Sequence, residues 1–279
     1  MRVHILGARG SMPATGASFL RYGGNTPCVA IAHDGADGPE LVLDAGTGIA
    51  RLPELLAGHP LDGSILLTHL HWDHVQGLPF CRSADNPAAH VSLALPAQED
   101  GSSAEDALAR GMSPPHFPIS PSQMSGEWRF GSLEPGEHSI AGFDVLALEV
   151  PHKGGRTFGY RISDGGRSFA FVPDHCPTAF GPGDDGFGAL HPNALALADG
   201  ADVLAHDGQL LPSEAAEANF GHAVVDYAVG LGRAAGVGRV LLFHHKPSRT
   251  DDQLDELAAR FADEPVEVCR EGTILELAA

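Results

Sequence analysis

The stretch Ser64-Ile65-Leu66-Leu67-Thr68-His69-Leu70-His71-Trp72-Asp73-His74-Val75-Gln76-Gly77 decides how the chain is read. It opens as an apolar run of strand length and then compresses three histidines and an aspartate into the six residues from His69 to His74. Neutral imidazole and carboxylate are the donors that a borderline divalent cation prefers. His69 and His71 stand two apart, so extended backbone projects both to one side, where they can grip one ion. Asp73 and His74 follow as the chain turns toward helix, and can grip a second ion close by.

Working outward, short apolar runs rich in β-formers recur with glycine punctuation. Upstream they are Val3 to Leu6, Cys28 to Ala32 and Leu41 to Leu43, leading to Ser64 to Thr68. Downstream they are Phe143 to Val150, Thr157 to Ile162, Ser168 to Val172, Val203 to Ala205 and Val240 to Phe243. Helical spacing of apolar residues marks Gly48 to Ala57, His222 to Ala235 and Asp251 to Phe261. This alternation predicts an α/β fold, and residues 1–279 read as a single domain. The proline-rich segment Gly111 to Gly126 and the segment Pro173 to Gly188 read as ordered loops, either tolerated insertions or walls of a binding site.

Acidic residues number 36 against 17 basic ones, a formal charge of −19, and Lys153 and Lys246 are the only lysines. Such a surface repels phosphate backbones, and no cluster of basic residues offsets it, so long nucleic acid is not the expected partner. No run of apolar residues approaches the length of a membrane span, and Met1 to Gly7 enters a strand-like run without a leader. Cys28, Cys81, Cys176 and Cys269 are far apart and form no CxxC pair, which fits a reducing cytoplasm.

The pattern HxHxDH after a strand that ends in Thr68 resembles the signature of metallo-β-lactamase-fold hydrolases, and Asp44-Ala45-Gly46-Thr47-Gly48 continues the likeness upstream. The resemblance implies a four-layer αβ/βα sandwich with metals at the sheet ends. It implies His152 as the third histidine beside His69 and His71, and Asp174 as a carboxylate shared by two ions. It also implies His244 as the ligand that joins Asp73 and His74, with His244 favoured over the adjacent His245. The cofactors so implied are two divalent ions, zinc foremost, with manganese or iron accepted by the same donors. Asp44 is a candidate acceptor for the ring N–H of a ligand histidine.

Gly7 to Pro13 (GARGSMP), Tyr22 to Cys28 (YGGNTPC) and Ala205-His206-Asp207 resemble the ribonuclease Z and small-phosphodiesterase branch of that superfamily. In that branch His206 corresponds to a proton donor for the leaving oxygen, oriented by Asp207, and His222 to a residue that meets the phosphate. Asp73 counts with both the ligands and the catalytic residues. The chain lacks the long glycine- and basic-rich arm that holds transfer RNA, and has His206-Asp207-Gly208-Gln209 in place of His-Glu-Ala-Thr. The expectation is therefore hydrolysis of a small phosphodiester such as a cyclic nucleotide, by attack of a metal-bridging hydroxide. Ester, lactone or sulfate-ester hydrolysis at the same centre is the alternative; behind it stand transfer RNA 3'-end cleavage and a non-catalytic metal sensor. Relatives in this branch are commonly homodimers. His116, with Phe117, is placed to reach over the pocket.

Overall fold

Residues 1–277 are described by a computed structural model, in which fourteen strands form two seven-stranded sheets. The first sheet holds β1 (Arg2–Gly7), β2 (Cys28–Ala32), β3 (Leu41–Leu43), β4 (Asp62–Leu66), β5 (His90–Pro96) and β6 (Glu127–Leu133). The second holds β7 (Gly136–Ile140), β8 (Phe143–Glu149), β9 (Phe158–Asp164), β10 (Arg167–Val172), β11 (Val203–Asp207), β12 (Arg239–Phe243) and β13 (Val266–Val268). The last strand, β14 (Ile274–Glu276), crosses back to pair antiparallel with β1, Val3 opposite Leu275. This tie joins the chain's end to its beginning.

Side-chain alternation along each strand explains the layers. On β2, Val29 and Ile31 face the second sheet while Cys28 and Ala30 face outward, and on β10, Phe169 and Phe171 face inward while Ala170 and Val172 face outward. Both faces of these strands are covered, which is why they read as continuous apolar runs. The central layer is aromatic, with Phe171 and Phe243 meeting edge to face at 5.3 Å between centroids. Truncating either ring to Ala would cost about 3–5 kcal/mol.

Helices cover the outer faces. Leu52 of α1 (Leu52–Leu55) and Leu108 of α3 (Ala104–Ala109) pack on the first sheet; α2 (Trp72–Val75) is the single turn that carries the histidine motif. On the second sheet, Leu197 of α4 (Pro192–Ala198) and Tyr227 and Leu231 of α5 (Val225–Ala235) cover β10 and β11. Leu254 and Leu257 of α6 (Asp251–Arg260) cover β12. The result is the α/β four-layer sandwich. No helix among the described residues is long and apolar enough to cross a membrane.

Three sequence expectations shift. Gly48 to Ala57 begins as a 3-10 segment, Thr47–Arg51, before α1, because Pro53 confines regular helix to its first turn. The helix expected from His222 starts at Val225, since His222 and Ala223 are drawn to the Asp207 carboxylate. The proline-rich segment 111–126 is loop apart from the 3-10 turn Pro121–Gln123, in which Ser120 and Gln123 cap each other.

Candidate metal and catalytic site

The carboxyl ends of β4, β8, β10 and β12 converge, and each releases a donor within one to three residues: His69, His152, Asp174 and His244. Ligand sites at strand carboxyl ends are a general feature of layered α/β proteins. His71 caps α2 in extended backbone, which sets its ring beside His69 with centroids 4.5 Å apart; Asp73 and His74 ride on the helical turn that follows.

Four overlapping donor groups result: Asp174 joins His69 and His74 in one and His222 and His244 in another, and two more hold the remaining ligands expected from the sequence. In the first of these two, His69, His71 and His152 bring ring nitrogens within 4.8 Å of one another. His71 Nδ1 lies 3.2 Å from His152 Nε2. In the second, a carboxylate oxygen of Asp73 and ring nitrogens of His74 and His244 lie equally close. His244 Nε2 is 3.1 Å from Asp73 Oδ2, and His74 Nε2 is 3.3 Å from the same oxygen. Asp174 stands between them: Oδ1 is 3.5 Å from His152 Nε2, while Oδ2 is 2.9 Å from His74 Nε2 and 3.3 Å from His244 Nε2.

Acceptors around the ring fix the tautomers. His74 Nδ1–H donates to Asp44 Oδ2 at 2.8 Å, and His69 Nδ1–H donates to Thr68 Oγ1 at 3.0 Å, whose hydroxyl is in turn 3.0 Å from Asp44. His152 Nδ1–H donates to the Gly221 carbonyl at 2.7 Å, and His244 Nδ1–H to Gln209 Oε1 at 3.0 Å. In all four rings the Nε2 lone pair is thereby left to point into the centre. His69 Nε2 and Asp174 Oδ2 are buried without a hydrogen-bond partner. Orphaned polar atoms of this kind are costly unless something else satisfies them. A divalent cation would do so, and the residues present fit one.

Electrostatics agree. Burial lowers the pKa of His69, His71 and His152, keeping their lone pairs available. Burial also pulls on His74, yet Asp73, Asp174 and Asp44 outweigh it and raise that group well above its ordinary value. The site therefore attracts positive charge, as a proton or as a metal.

Backbone shape serves the same end. His244 adopts a left-handed conformation, φ 59°, that swings its ring inward from the end of β12. Strain of this sort survives only where the surroundings enforce it. A Cβ on Gly10 would sit 2.2 Å from His244 Nδ1, so the glycine of the GARGSMP segment is required by the close approach of this ring. His245, its neighbour, points away and donates to the Cys269 carbonyl at 2.7 Å. It is buried and its pKa is pushed down to about 3 by burial and the nearby Arg9.

The expected proton donor is placed elsewhere. His206 is fully buried, with Nδ1 2.8 Å from its neighbour's backbone oxygen and Nε2 3.0 Å from His175 Nδ1, and burial lowers its pKa. Asp207 does not orient it. Adjacent residues on a strand project to opposite faces, and the Asp207 carboxylate instead takes His222 Nδ1–H at 3.1 Å. His222 stacks beside His244, centroids 5.0 Å apart, and lies 3.7 Å from Asp174 Oδ1. Burial lowers its basicity, but Asp207, Asp174 and Asp73 prevail and hold its pKa up at about 9.

A cavity of about 410 Å³ opens over these groups, walled by Ser11, Leu70, His71, Trp72, Asp73, Asp174 and His222. Ser11, Thr68, Gln209 and Gly221 were not singled out by sequence as positioning groups. Ser11 donates its backbone N–H to Asp73 Oδ2 at 2.7 Å. His116 is exposed, and of the pair only Phe117 lines a cavity, the larger one on the far side of His71.

Residues 40–245 match the model of the beta-lactamase superfamily domain, and the chain belongs to the metallo-β-lactamase superfamily of metal-dependent hydrolases. The ribonuclease Z of Salinibacter ruber is 26% identical over 284 residues, covering 86% of this chain and 86% of the relative. The metallo-beta-lactamase fold protein YhfI of Bacillus subtilis shares the fold with a TM-score of 0.71 at 17% identity, covering 99% of each chain. A diphosphatase of the PhnP family gives 0.71 at 18% identity, covering 99% of this chain and 98% of the other.

Proposed function

We propose that the chain, acting as one hydrolase domain, cleaves a small phosphodiester at the two donor groups. The observation that carries this is the His222–Asp207 pair, held at 3.1 Å, which walls the same cavity as Asp73, His71 and Asp174. A phosphodiester releases a basic alkoxide, and a proton donor beside the reacting phosphorus is what that step needs. The similarity to ribonuclease Z, and the shared fold with a PhnP-family diphosphatase, support phosphorus as the centre attacked.

In this reading His69, His71 and His152 would hold one divalent ion and Asp73, His74 and His244 a second, with Asp174 standing between the two groups. Bound there, such ions lower the pKa of water and stabilise charge on a phosphoryl group. The chain's own groups do the rest. Ser11 N–H and His244 fix the Asp73 carboxylate, Gln209 fixes His244, and Asp207 holds His222 with its ring in the cavity. As water adds to phosphorus and the P–O bond to the leaving group breaks, His222 gives its proton to the departing oxygen, and the proton that the water loses restores His222. The products are a phosphomonoester and an alcohol.

Size and charge favour a small substrate over transfer RNA. Lys246 is tied to Glu214 and Glu217, and the net charge is −19. A hydrolysis screen after loading with zinc or manganese tests the proposal, using bis-p-nitrophenyl phosphate, 3',5'-cyclic nucleotides and a lactone series. Cleavage of the phosphodiesters is the expected result. Cleavage of lactones alone would overturn it.

A further inference from the structure

We propose that the large cavity beside the His69–His71–His152 group binds the ester group that stays on phosphorus, and that this group is a bulky aryl or alkyl moiety carrying no charge. The proposal rests on the phosphodiesterase reading above and adds a substrate class to it.

The cavity measures about 660 Å³, within the range of roughly 300–1,000 Å³ typical of small-molecule sites. It meets the smaller catalytic cavity at Leu70, His71 and Trp72, which line both. A molecule with phosphorus at the donor groups can therefore extend past Leu70, His71 and Trp72 into it. His222 lines the smaller cavity and not the larger one. The leaving oxygen must lie beside His222, so the large cavity receives the other ester group.

Its walls specify the chemistry. Val75, Leu78, Phe80, Met112 and Phe117 come from the histidine-bearing turn, the segment after it and the loop following α3. Phe80 and Phe117 meet edge to face at 5.8 Å between centroids. At the mouth, Trp72 is 79% exposed and Phe80 65% exposed. Large aromatics left in water around an apolar hollow gain burial when a ligand enters.

The two cations in the wall are already engaged. Arg110 pairs with Asp100 at 2.6 Å, and Arg156 contacts Glu149 at 3.0 Å and donates to the Ala97 carbonyl at 2.7 Å. With their charges offset, the cavity offers no unpaired cation for a second phosphate. Gln76, Gln98 and Thr157 add neutral polar atoms to the wall, so an uncharged, largely apolar group is what remains.

The test uses p-nitrophenyl phosphodiesters in which the retained ester group is methyl, n-hexyl or 1-naphthylmethyl, with the full chain loaded with metal. The expected result is a rise in kcat/KM of about a hundredfold from methyl to naphthylmethyl, in line with the selectivity apolar pockets reach. Phe117→Ala and Phe80→Ala should each cut that ratio by about tenfold, whereas Phe180→Ala, at an aromatic residue outside both cavities, should leave it in place. Calorimetry gives a readout without turnover: naphthylmethyl methylphosphonate should bind at least tenfold tighter than methyl methylphosphonate. Equal kcat/KM or equal affinity for the two groups would overturn this inference while leaving the phosphodiesterase reading intact. Failure to cleave any of the three diesters would bring down the phosphodiesterase reading, and this inference with it.

Discussion

The first sheet delivers its donors from one segment, His69 to His74, whereas the second delivers His152, Asp174 and His244 from three separate strand ends. The first half holds its ligands by local geometry: one extended residue, one helical turn, and Asp44 and Thr68 next door to set the rings. The second half holds its ligands by topology, because β10, β11 and β12 run parallel and bring residues dozens of positions apart to a common edge. The lesson is that neither half makes a site alone. Asp174 touches donors of both sheets, and Asp73 of the first sheet meets His244 of the second.

The sharpest way to break that comparison is to remove one donor from each half. Asp174→Ala should lose metal as completely as His71→Ala, with kcat/KM falling by about a thousandfold or more in both, followed by elemental analysis and phosphodiester hydrolysis. An Asp174→Ala protein that kept its metal and its rate would make the first sheet sufficient. Next in size is His222→Ala, which should lower kcat by about 10²–10⁴-fold for alkoxide leaving groups, far less for p-nitrophenolate, and leave the metal content unchanged. Equal losses for both leaving groups would deny His222 the donor role.

A smaller effect probes the first half's local scaffold. Asp44→Asn should weaken metal binding by about 10–100-fold, read by competition with a chelator, because His74 loses the acceptor that fixes its tautomer. Unchanged affinity would mean that Asp44 serves the fold alone. The smallest effect concerns the seam between the sheets. His33, just after β2, lies 3.0 Å from Asp164 at the end of β9 and 2.9 Å from the Ala141 carbonyl, and stacks on Phe143 at 3.7 Å. Burial lowers its pKa, but the Ala141 and Asp164 contacts more than compensate and raise it above 6.5. A raised folded-state pKa stabilises the protein below the unfolded value and loses that contribution as pH climbs through the folded value. Urea midpoints at pH 6 and pH 8.5 should therefore differ more for the native chain than for His33→Gln; identical differences would remove the seam from the pH response.

Much of the fold is visible in the sequence where strands are buried on both faces. Cys28 to Ala32 and Phe169 to Val172 stand out because no polar residue interrupts them. The half-exposed strands β6 and β7 and the three-residue strands β13 and β14 carry too little apolar pattern to announce themselves. The same divide runs through the site. A compressed motif is self-evident, but His152, Asp174 and His244 were reached only through family resemblance, since nothing beside them in sequence is a ligand partner. His206 and Asp207 show the cost of reading neighbours as partners: two adjacent strand residues face opposite ways, and the carboxylate finds its histidine fifteen positions later at His222.

By itself the sequence determined the donor chemistry, the strand–turn setting of His69 to His74 and the alternation that makes two covered sheets, because each depends on residues within a few positions of one another. Tertiary structure alone decided that Asp174 stands between the two donor groups, that His244 turns in while His245 turns out, and that Asp207 serves His222. Those outcomes depend on which strand ends meet, on a left-handed residue whose ring packs against Gly10, and on which face of a strand a side chain leaves. A local sequence pattern does not encode them.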